Sequence, residues 1–155
     1  MLLTEVINNI KYSKIKNIND LLNSYCPVYK NIGLYPKGFN NTTSYDVKDS
    51  WFIALKYLGY KQLAKKIKNM PKNKRVPFIM SFNKKDNNGN TLYDNIEQFW
   101  VNCIKEFIIK NNIKFEQIIS IFYDEIELIS DTKVNNTTIN IDNNITIKFI
   151  KKINI

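Results

Sequence analysis

The spacing of hydrophobic residues is most regular between Asp94 and Lys110. Apolar side chains recur there every three or four residues, the period of an amphipathic helix that packs on a core. These residues are Ile96, Phe99, Trp100, Cys103, Ile104, Phe107 and Ile108. Asp94 and Glu97 have the spacing of a capping box, and two asparagines, Asn111 and Asn112, follow the last turn. The pattern predicts one long core helix in the second half of the chain.

Shorter segments with the same period predict helices in the first half of the chain. These segments are residues 2–25 in one or two pieces, 46–59, and 60–70. Ser44 or Asp46 is expected to cap the second segment, and Pro71 to stop the third. Between the first two helices, Pro27–Ser44 contains two prolines, two glycines and a polar cluster, and is expected to be a long loop.

Other segments have the character of β-strands. Val76–Phe82 is a short apolar run, and its Pro77 suits the first positions of an edge strand. Thr138–Ile141 and Ile145–Ile150 alternate apolar and polar residues around a short polar turn, which predicts a hairpin. Ile113–Ser130 fits either a helix or a helical start followed by a strand, because it combines helical spacing with many β-branched residues.

Together these elements predict an α+β fold. We expect one compact domain, residues 1–155, with central amphipathic helices and a C-terminal antiparallel β-hairpin or small sheet. The longest uninterrupted apolar stretch, Trp51–Leu55, is far too short to cross a bilayer, and the N-terminus has no apolar signal region. A cytoplasmic protein without membrane contact is therefore expected.

Composition excludes several classes of enzyme. The 155 residues include no histidine, which excludes Ser-His and Cys-His nucleophile pairs and histidine metal sites. Two cysteines, Cys26 and Cys103, are too few for a zinc site built of thiolates, and both are expected to be reduced core residues. Four glycines without a phosphate-binding motif argue against a nucleotide cofactor. We expect no cofactor, no metal and no catalytic residue.

The net charge of +9 is unevenly distributed. Ile, Asn and Lys, all encoded by codons rich in A and T, account for 71 residues, so codon bias explains part of the basic character. Residues 54–76 carry +8 without a single acidic residue, whereas residues 115–131 carry −5. The informative signal is therefore where the charge lies along the chain.

The basic block predicts a lysine stripe on a helix. At 100° per residue its first four members fall within a narrow arc, opposite the apolar face, and the last two extend it past Pro71. The predicted contact residues are Lys61, Lys65, Lys68, Lys72, Lys74 and Arg75. Such a stripe neutralises successive phosphates without reading sequence, and aromatic stacking can add to it. The alternative is a solvated helix face in a lysine-biased chain.

The acidic block has two interpretations. If Asp124–Leu128 is extended, Glu125 and Glu127 point to the same side and, with Asp124, could hold a divalent metal for phosphodiester cleavage. No carboxylate motif of a nuclease accompanies them. The block is otherwise a solvated face, or an electrostatic partner for the lysines within the fold or across a homo-oligomer of this chain.

The predicted loop carries aromatic residues that suit a protein interface. Tyr29, Tyr35 and Phe39 are candidates for anchoring a partner, although aromatic residues also close the core beneath their own loop. Our first hypothesis is a non-enzymatic binding protein that engages nucleic acid or a nucleoprotein complex through the lysines. The second is an inhibitor or immunity protein of a mobile element that blocks an acidic partner enzyme by protein contact. A metal nuclease is the third.

Overall fold

The structure, a computed structural model, describes residues 14–35, 41–142 and 145–154. These residues contain five α-helices and seven β-strands. The helices are α1 (Ile18–Leu22), α2 (Ser50–Tyr57), α3 (Lys61–Lys68), α4 (Lys72–Met80) and α5 (Leu92–Lys110). The strands are β1 (Val28–Lys30), β2 (Thr42–Asp46), β3 (Ile118–Phe122), β4 (Glu125–Ile129), β5 (Thr138–Ile141), β6 (Ile145–Lys148) and β7 (Ile150–Asn154). The predicted α+β class is confirmed.

The strands form two antiparallel sheets. The larger has the order β1-β3-β4-β2-β7, and β5 pairs with β6 separately. In that small sheet Ile139 lies opposite Ile147 and Ile141 opposite Ile145, so the predicted C-terminal hairpin is confirmed with its apolar residues in register. Directly afterwards the chain enters β7, which pairs with β2 at the edge of the larger sheet and which no sequence pattern predicted.

Helix α5 is the centre of the hydrophobic core, as its sequence period predicts. The Phe107 ring lies 5.4 Å from the ring of Tyr45 on β2 and 4.6 Å from that of Phe149. The cap of α5 differs from the prediction, because Thr91 and Asp94 form the capping box in place of Asp94 and Glu97. The Asp94 carboxylate accepts a hydrogen bond from the Thr91 backbone N–H, so the helix begins at Leu92.

The predicted strand at Val76–Phe82 is wrong, because this segment lies mostly within α4. Ile79 is buried in the core and Phe78 packs against it, while Pro77 is exposed. A proline inside a helix removes one backbone hydrogen bond and costs roughly 3 kcal/mol. Packing of Ile79, which is fully buried, outweighs that local preference.

The predicted loop at Pro27–Ser44 contains β1 and the start of β2. Neither Ser44 nor Asp46 caps α2, because both lie in β2. The residue before α2 is Asp49, which has a positive φ of 55° and makes no capping hydrogen bond through its side chain. Three polar residues of β2, at positions 42–44, are buried. The polar sequence that resembled a loop is thus an interior strand.

The segment 113–130 follows the second of its two predicted alternatives. A single 3-10 turn at Phe115–Gln117 precedes β3, and β3 and β4 form a hairpin. In the N-terminal region, α1 corresponds to the later of the two predicted helical pieces, and residues 1–13 lie outside the described part of the chain.

Two adjacent isoleucines of α5 test the predicted core. Ile108 is 2% exposed and Ile109 is 57% exposed. We expect Ile108→Ala to lower the free energy of unfolding by about 2–5 kcal/mol, through lost burial and a cavity. The matched control, Ile109→Ala, should change it by less than about 0.5 kcal/mol. Urea denaturation of both variants measures the difference, and equal losses would contradict this packing of α5.

Candidate functional site

Helices α2, α3 and α4 form a basic region without acidic residues. No aspartate or glutamate occurs between Asp49 and Asp86, whereas ten lysine and arginine residues lie in that interval. We call the exposed lysines of α3 and of the first turn of α4, apart from Lys66, the basic face. They are Lys61, Lys65, Lys68, Lys72 and Lys74.

Helix α3 is amphipathic in the predicted sense. Ala64 and Ile67 are buried against the core, and Lys61, Lys65 and Lys68 are exposed on the other side. The helix ends at Lys68, so the predicted arc holds for these three lysines and does not extend to the fourth. Lys72 belongs instead to the first turn of α4, beyond the turn that contains Pro71.

Arg75 has a structural role that the sequence did not reveal. Its Nε donates to the carbonyl oxygen of Met70 and its Nη2 to that of Lys68, both at 3.1 Å. These carbonyls lie at the C-terminal end of α3 and just beyond it, where backbone oxygens lack partners within the helix. Arg75 thus joins the first turn of α4 to the end of α3 and brings the lysines of both helices into one region. We therefore remove it from the predicted contact residues.

Two lysines of α3 also contact aromatic rings of the neighbouring helices. The Nζ of Lys68 lies 4.7 Å from the ring centre of Phe52 on α2, and that of Lys66 lies 4.9 Å from Phe78 on α4. Cation–π contacts of this kind orient a long side chain while its ammonium group keeps contact with solvent. Lys66, as predicted, stands apart from the stripe.

The N-termini of α3 and α4 are electropositive. Neither helix has a side-chain cap or an acidic residue in its first turn, and each begins with a lysine, Lys61 or Lys72. The helix dipole disfavours a positive charge at this position. These two lysines therefore destabilise their helices slightly, so helix stability does not explain the presence of lysine at these positions.

The acidic residues of β4 lie on the opposite face of the sheet from α5. Glu127 accepts hydrogen bonds from Thr42 Oγ1 at 2.7 Å and from Ser120 Oγ at 3.2 Å. Asn154 on β7 donates to Thr42 and to Ser44, at 3.1 and 2.8 Å. This polar ladder crosses β3, β4, β2 and β7, and it explains how β2 can bury hydroxyl groups.

Glu125 belongs to the same face and is less well compensated. Burial and the neighbouring charges of Asp46 and Glu127 raise its pKa, against the hydrogen bond from Ser44 and the charge of Lys152. As predicted, Glu125 and Glu127 share a face. Asp124, by contrast, contacts Ser50 and the backbone of Val47. In the described ranges, no group of three or more acidic or cysteine residues is arranged to hold a metal ion.

Asp124 lies in the two-residue turn between β3 and β4, beside the start of α2. Burial raises its pKa to about 6, and the charge of Asp46 adds to the effect. Hydrogen bonds from its own backbone N–H, from the Ser50 side chain and from the Val47 backbone act in the opposite direction. The carboxylate thus ties the hairpin to a helix that has no cap of its own.

The aromatic residues proposed as interface anchors have different environments. Tyr29 is only 2% exposed and packs near Phe115 in the core, so it offers no surface to a partner. Tyr35 is half-buried and donates its hydroxyl to the backbone oxygen of Glu116. Phe39 lies outside the described residues. Burial and the charges of Asp131 and Glu116 raise the pKa of Tyr35.

Sequence reasoning missed two aliphatic residues beside these aromatics. Ile32 and Leu34 follow β1 and are 51% and 52% exposed. They line a groove of about 580 Å³ together with Lys30 and Phe115. Two apolar residues in a polar loop give no periodic signal, so only their exposure in the fold identifies them. Both cysteines, Cys26 and Cys103, are buried, as expected, and the Cys26 thiol donates to the backbone oxygen of Val28.

The titration of Asp124 gives a testable pH dependence. Because its folded pKa lies above the ordinary 3.8, its contribution to stability is fully present below about pH 4 and is lost as pH rises through about 6. The unfolding free energy of the wild type, relative to Asp124→Asn, should therefore fall over that interval and be constant above about pH 7. Urea denaturation at several pH values measures this difference. A difference that is independent of pH, or that rises with pH, would contradict the assignment.

Comparison with known proteins gives no match. The chain matches no protein-family model, no curated protein and no solved structure. In the part of the chain that the structure describes, no helix is both long enough and apolar enough to span a bilayer. The basic face is the candidate site that combines positive charge, exposure to solvent and the absence of neighbouring acidic residues in the sequence.

Proposed function

We propose that the chain is a non-enzymatic binding protein that engages a polyanionic surface, a nucleic acid or a nucleoprotein complex, through its basic face. One observation carries the proposal: two adjoining helices expose six lysines, five of them in the basic face, within an interval that contains no acidic residue. A solvated surface in a lysine-rich chain intersperses charges of both signs, which reduces mutual repulsion. Between Asp49 and Asp86 no acidic residue offsets the repulsion among the lysines.

The chemistry of lysine favours contacts to phosphate over contacts to bases. An ammonium group is a compact point charge that binds phosphate without geometric selectivity, whereas guanine recognition uses the fork of arginine. The single arginine of the chain is engaged with two backbone carbonyls. We infer binding that follows charge density along a strand and is insensitive to sequence.

Lys61 and Lys72 support the proposal independently of the other lysines. Each occupies the first position of its helix, where a glutamate would improve the interaction with the helix dipole. A phosphate bound there would meet both the ammonium group and free backbone N–H groups. Lysine at these positions lowers the stability of the two helices and favours the binding of an anionic partner.

The second candidate, inhibition of a partner enzyme by protein contact, has its own supporting observation. Ile32 and Leu34 present exposed apolar area next to a groove on the loop after β1. An interface anchored there would survive high salt, because burial of apolar area is little affected by screening. Salt dependence therefore separates the two candidates.

Charge reversal tests the proposed function directly. We expect the wild type to bind a fluorescein-labelled, mixed-sequence single-stranded oligonucleotide, measured by fluorescence anisotropy. If all five lysines contact phosphate, the logarithm of the affinity should fall with the logarithm of salt concentration with a slope of about −3.5. Lys61→Glu/Lys65→Glu/Lys68→Glu should abolish binding at moderate salt while the variant still unfolds cooperatively in urea, at a midpoint lowered only by the lost Lys68–Phe52 contact and the altered charges of the last turn of α3.

The matched control moves the same charge elsewhere. Lys133→Glu/Lys148→Glu/Lys151→Glu gives the same change in net charge at exposed lysines of other elements. It should retain most of the affinity. Equal losses of affinity in both triple variants would mean that binding depends only on net charge, which would reject the basic face as the site. An affinity that does not change with salt concentration would reject the proposal.

A further inference from the structure

A groove with two exposed aromatic rings lies between the start of α3, the end of α4 and the segment before α5. Its volume is about 380 Å³. Tyr60 precedes α3 and is 49% exposed, and Phe82 follows α4 and is 41% exposed. In the described ranges four aromatic side chains are exposed, and two of them line this groove. Single exposed rings are common on soluble proteins, whereas a pair in one groove indicates a surface for contact with a ligand.

The fold holds both aromatic residues in place. The Tyr60 backbone N–H donates to the Leu55 carbonyl oxygen at 2.9 Å, and that of Phe82 donates to the Ile79 carbonyl oxygen at 3.1 Å. The Phe82 ring packs edge-to-face against Phe78, with ring centres 5.3 Å apart and planes at 85°. A ligand at this groove therefore meets aromatic side chains whose backbone is already fixed, which lowers the entropy cost of binding.

Lysine residues accompany both rings. Lys84 and Lys85 line the groove shortly after Phe82, and Lys61 directly follows Tyr60 as the first residue of α3. All three lysines are exposed and lie in the interval that contains no acidic residue. Lys61 also belongs to the basic face. The groove therefore adjoins that face at the start of α3.

One carboxylate among the described lining residues, that of Asp86, is already engaged. It accepts hydrogen bonds from the backbone N–H groups of Asn88 and Asn90 at 2.9 and 3.0 Å, and from Asn95 Nδ2 at 3.0 Å. These bonds, above all that from Asn95, lower the pKa of Asp86. Because Asn95 belongs to α5, they also fix the turn that follows the two groove lysines. Two lysines against one engaged carboxylate leave the lining with a net positive charge.

We propose that this groove binds the bases of a single-stranded nucleic acid, which stack on Tyr60 and Phe82 while the basic face contacts the phosphates. Aromatic rings in a positively charged groove are the recurring design of proteins that bind single strands without sequence preference, because every base has a flat face. In a duplex the bases are paired and stacked on one another, so these rings would not reach them. The inference rests on the proposed function, which supplies the phosphate contacts.

An acidic peptide with apolar side chains is the competing ligand. It would also combine negative charge with apolar groups. The exposed apolar surface of the groove is aromatic, however, because of its two leucines Leu63 is partly buried and Leu92 is buried. Flat aromatic faces favour a flat ligand. A nucleic acid presents one flat ring and one negative charge in every nucleotide, which matches a groove where each ring is close in sequence to a lysine.

An abasic oligonucleotide separates base contacts from phosphate contacts. Two fluorescein-labelled single strands of equal length are compared by fluorescence anisotropy at one moderate salt concentration, one of mixed sequence and one in which every base is missing. Both carry the same number of phosphates. We expect the wild type to bind the strand with bases at least about tenfold more tightly, because two rings contribute stacking.

Removal of the two rings should abolish this gain in affinity. Tyr60→Ala/Phe82→Ala should bind both strands with the affinity that the wild type has for the abasic strand. Its salt dependence should be unchanged, because no charge is removed, and so should its affinity for a duplex of the same sequence. Tyr60→Leu/Phe82→Leu keeps apolar bulk beside Phe78 and should lose most of the gain at a urea midpoint close to that of the wild type.

The matched control replaces the other two exposed rings of the described ranges. Tyr25→Ala/Phe122→Ala makes the same chemical change outside the groove. It should keep the full difference in affinity between the two strands. An equal loss of that difference in both alanine pairs would overturn the groove as the site of base contact.

The remaining outcomes separate this inference from the proposed function. Equal, salt-dependent binding of both strands by the wild type would overturn the groove inference and leave the proposed function standing. A gain from the bases that survives in Lys61→Glu/Lys65→Glu/Lys68→Glu would overturn the role of the basic face alone. Binding of a polyglutamate peptide but of neither oligonucleotide would overturn both, in favour of an acidic protein partner.

Discussion

Packing of helix α5 against the larger sheet is the interaction on which the rest of the structure depends. The Phe107 ring contacts both Tyr45 of β2 and Phe149, which precedes β7, so one side chain links the helix to two segments that are distant in the chain. Nearer the N-terminus of the same helix, the ring centre of Phe99 lies 4.6 Å from that of Tyr57 on α2. The sheet and the small helices thus meet through α5, and removal of a large buried side chain from it would cost several kcal/mol.

The distribution of charge follows from this arrangement. Because α2, α3 and α4 turn their apolar residues toward the core, the lysines between those residues must face solvent. The carboxylates of β4 lie on the far face of the sheet, where serine and threonine hydroxyls donate hydrogen bonds to them. These acidic groups are occupied within the sheet and do not act as counter-ions for α3. The fold keeps the basic face free of them.

The elements predicted well from sequence are those with strong local periodicity. Helix α5 was located to within two residues, and the β5–β6 hairpin in its register, because each buries one regular face. Strand β2 was missed because its polar residues are satisfied by Glu127 and Asn154, more than eighty positions away. Helix α4 was mistaken for a strand because a seven-residue apolar run fits both periods, and Pro77 favoured the extended form.

The candidate site divides in the same way. The stripe on α3 was predictable, since its period and its charge are both local. The role of Arg75 and the groove at Tyr60 and Phe82 were not, because each depends on residues that meet only in the folded chain. Tyr60 stands at the start of one predicted helix and Phe82 at the end of an apolar run, and nothing in the sequence distinguishes an exposed ring from a core residue at these positions. Their exposure becomes evident only once the neighbouring elements are placed.

Segregation of charge onto a binding face is the central claim, and amide chemical shifts of the isotopically labelled protein test it most directly. A titration with a mixed-sequence single-stranded oligonucleotide at low salt should shift the amides of residues 61–76 first and most strongly. The amides of residues 42–46 and 125–129, in the two strands that carry the carboxylates and their hydrogen-bond partners, should remain unchanged. Shifts centred on that sheet face or on residues 32–35, or no shifts at all, would contradict the account.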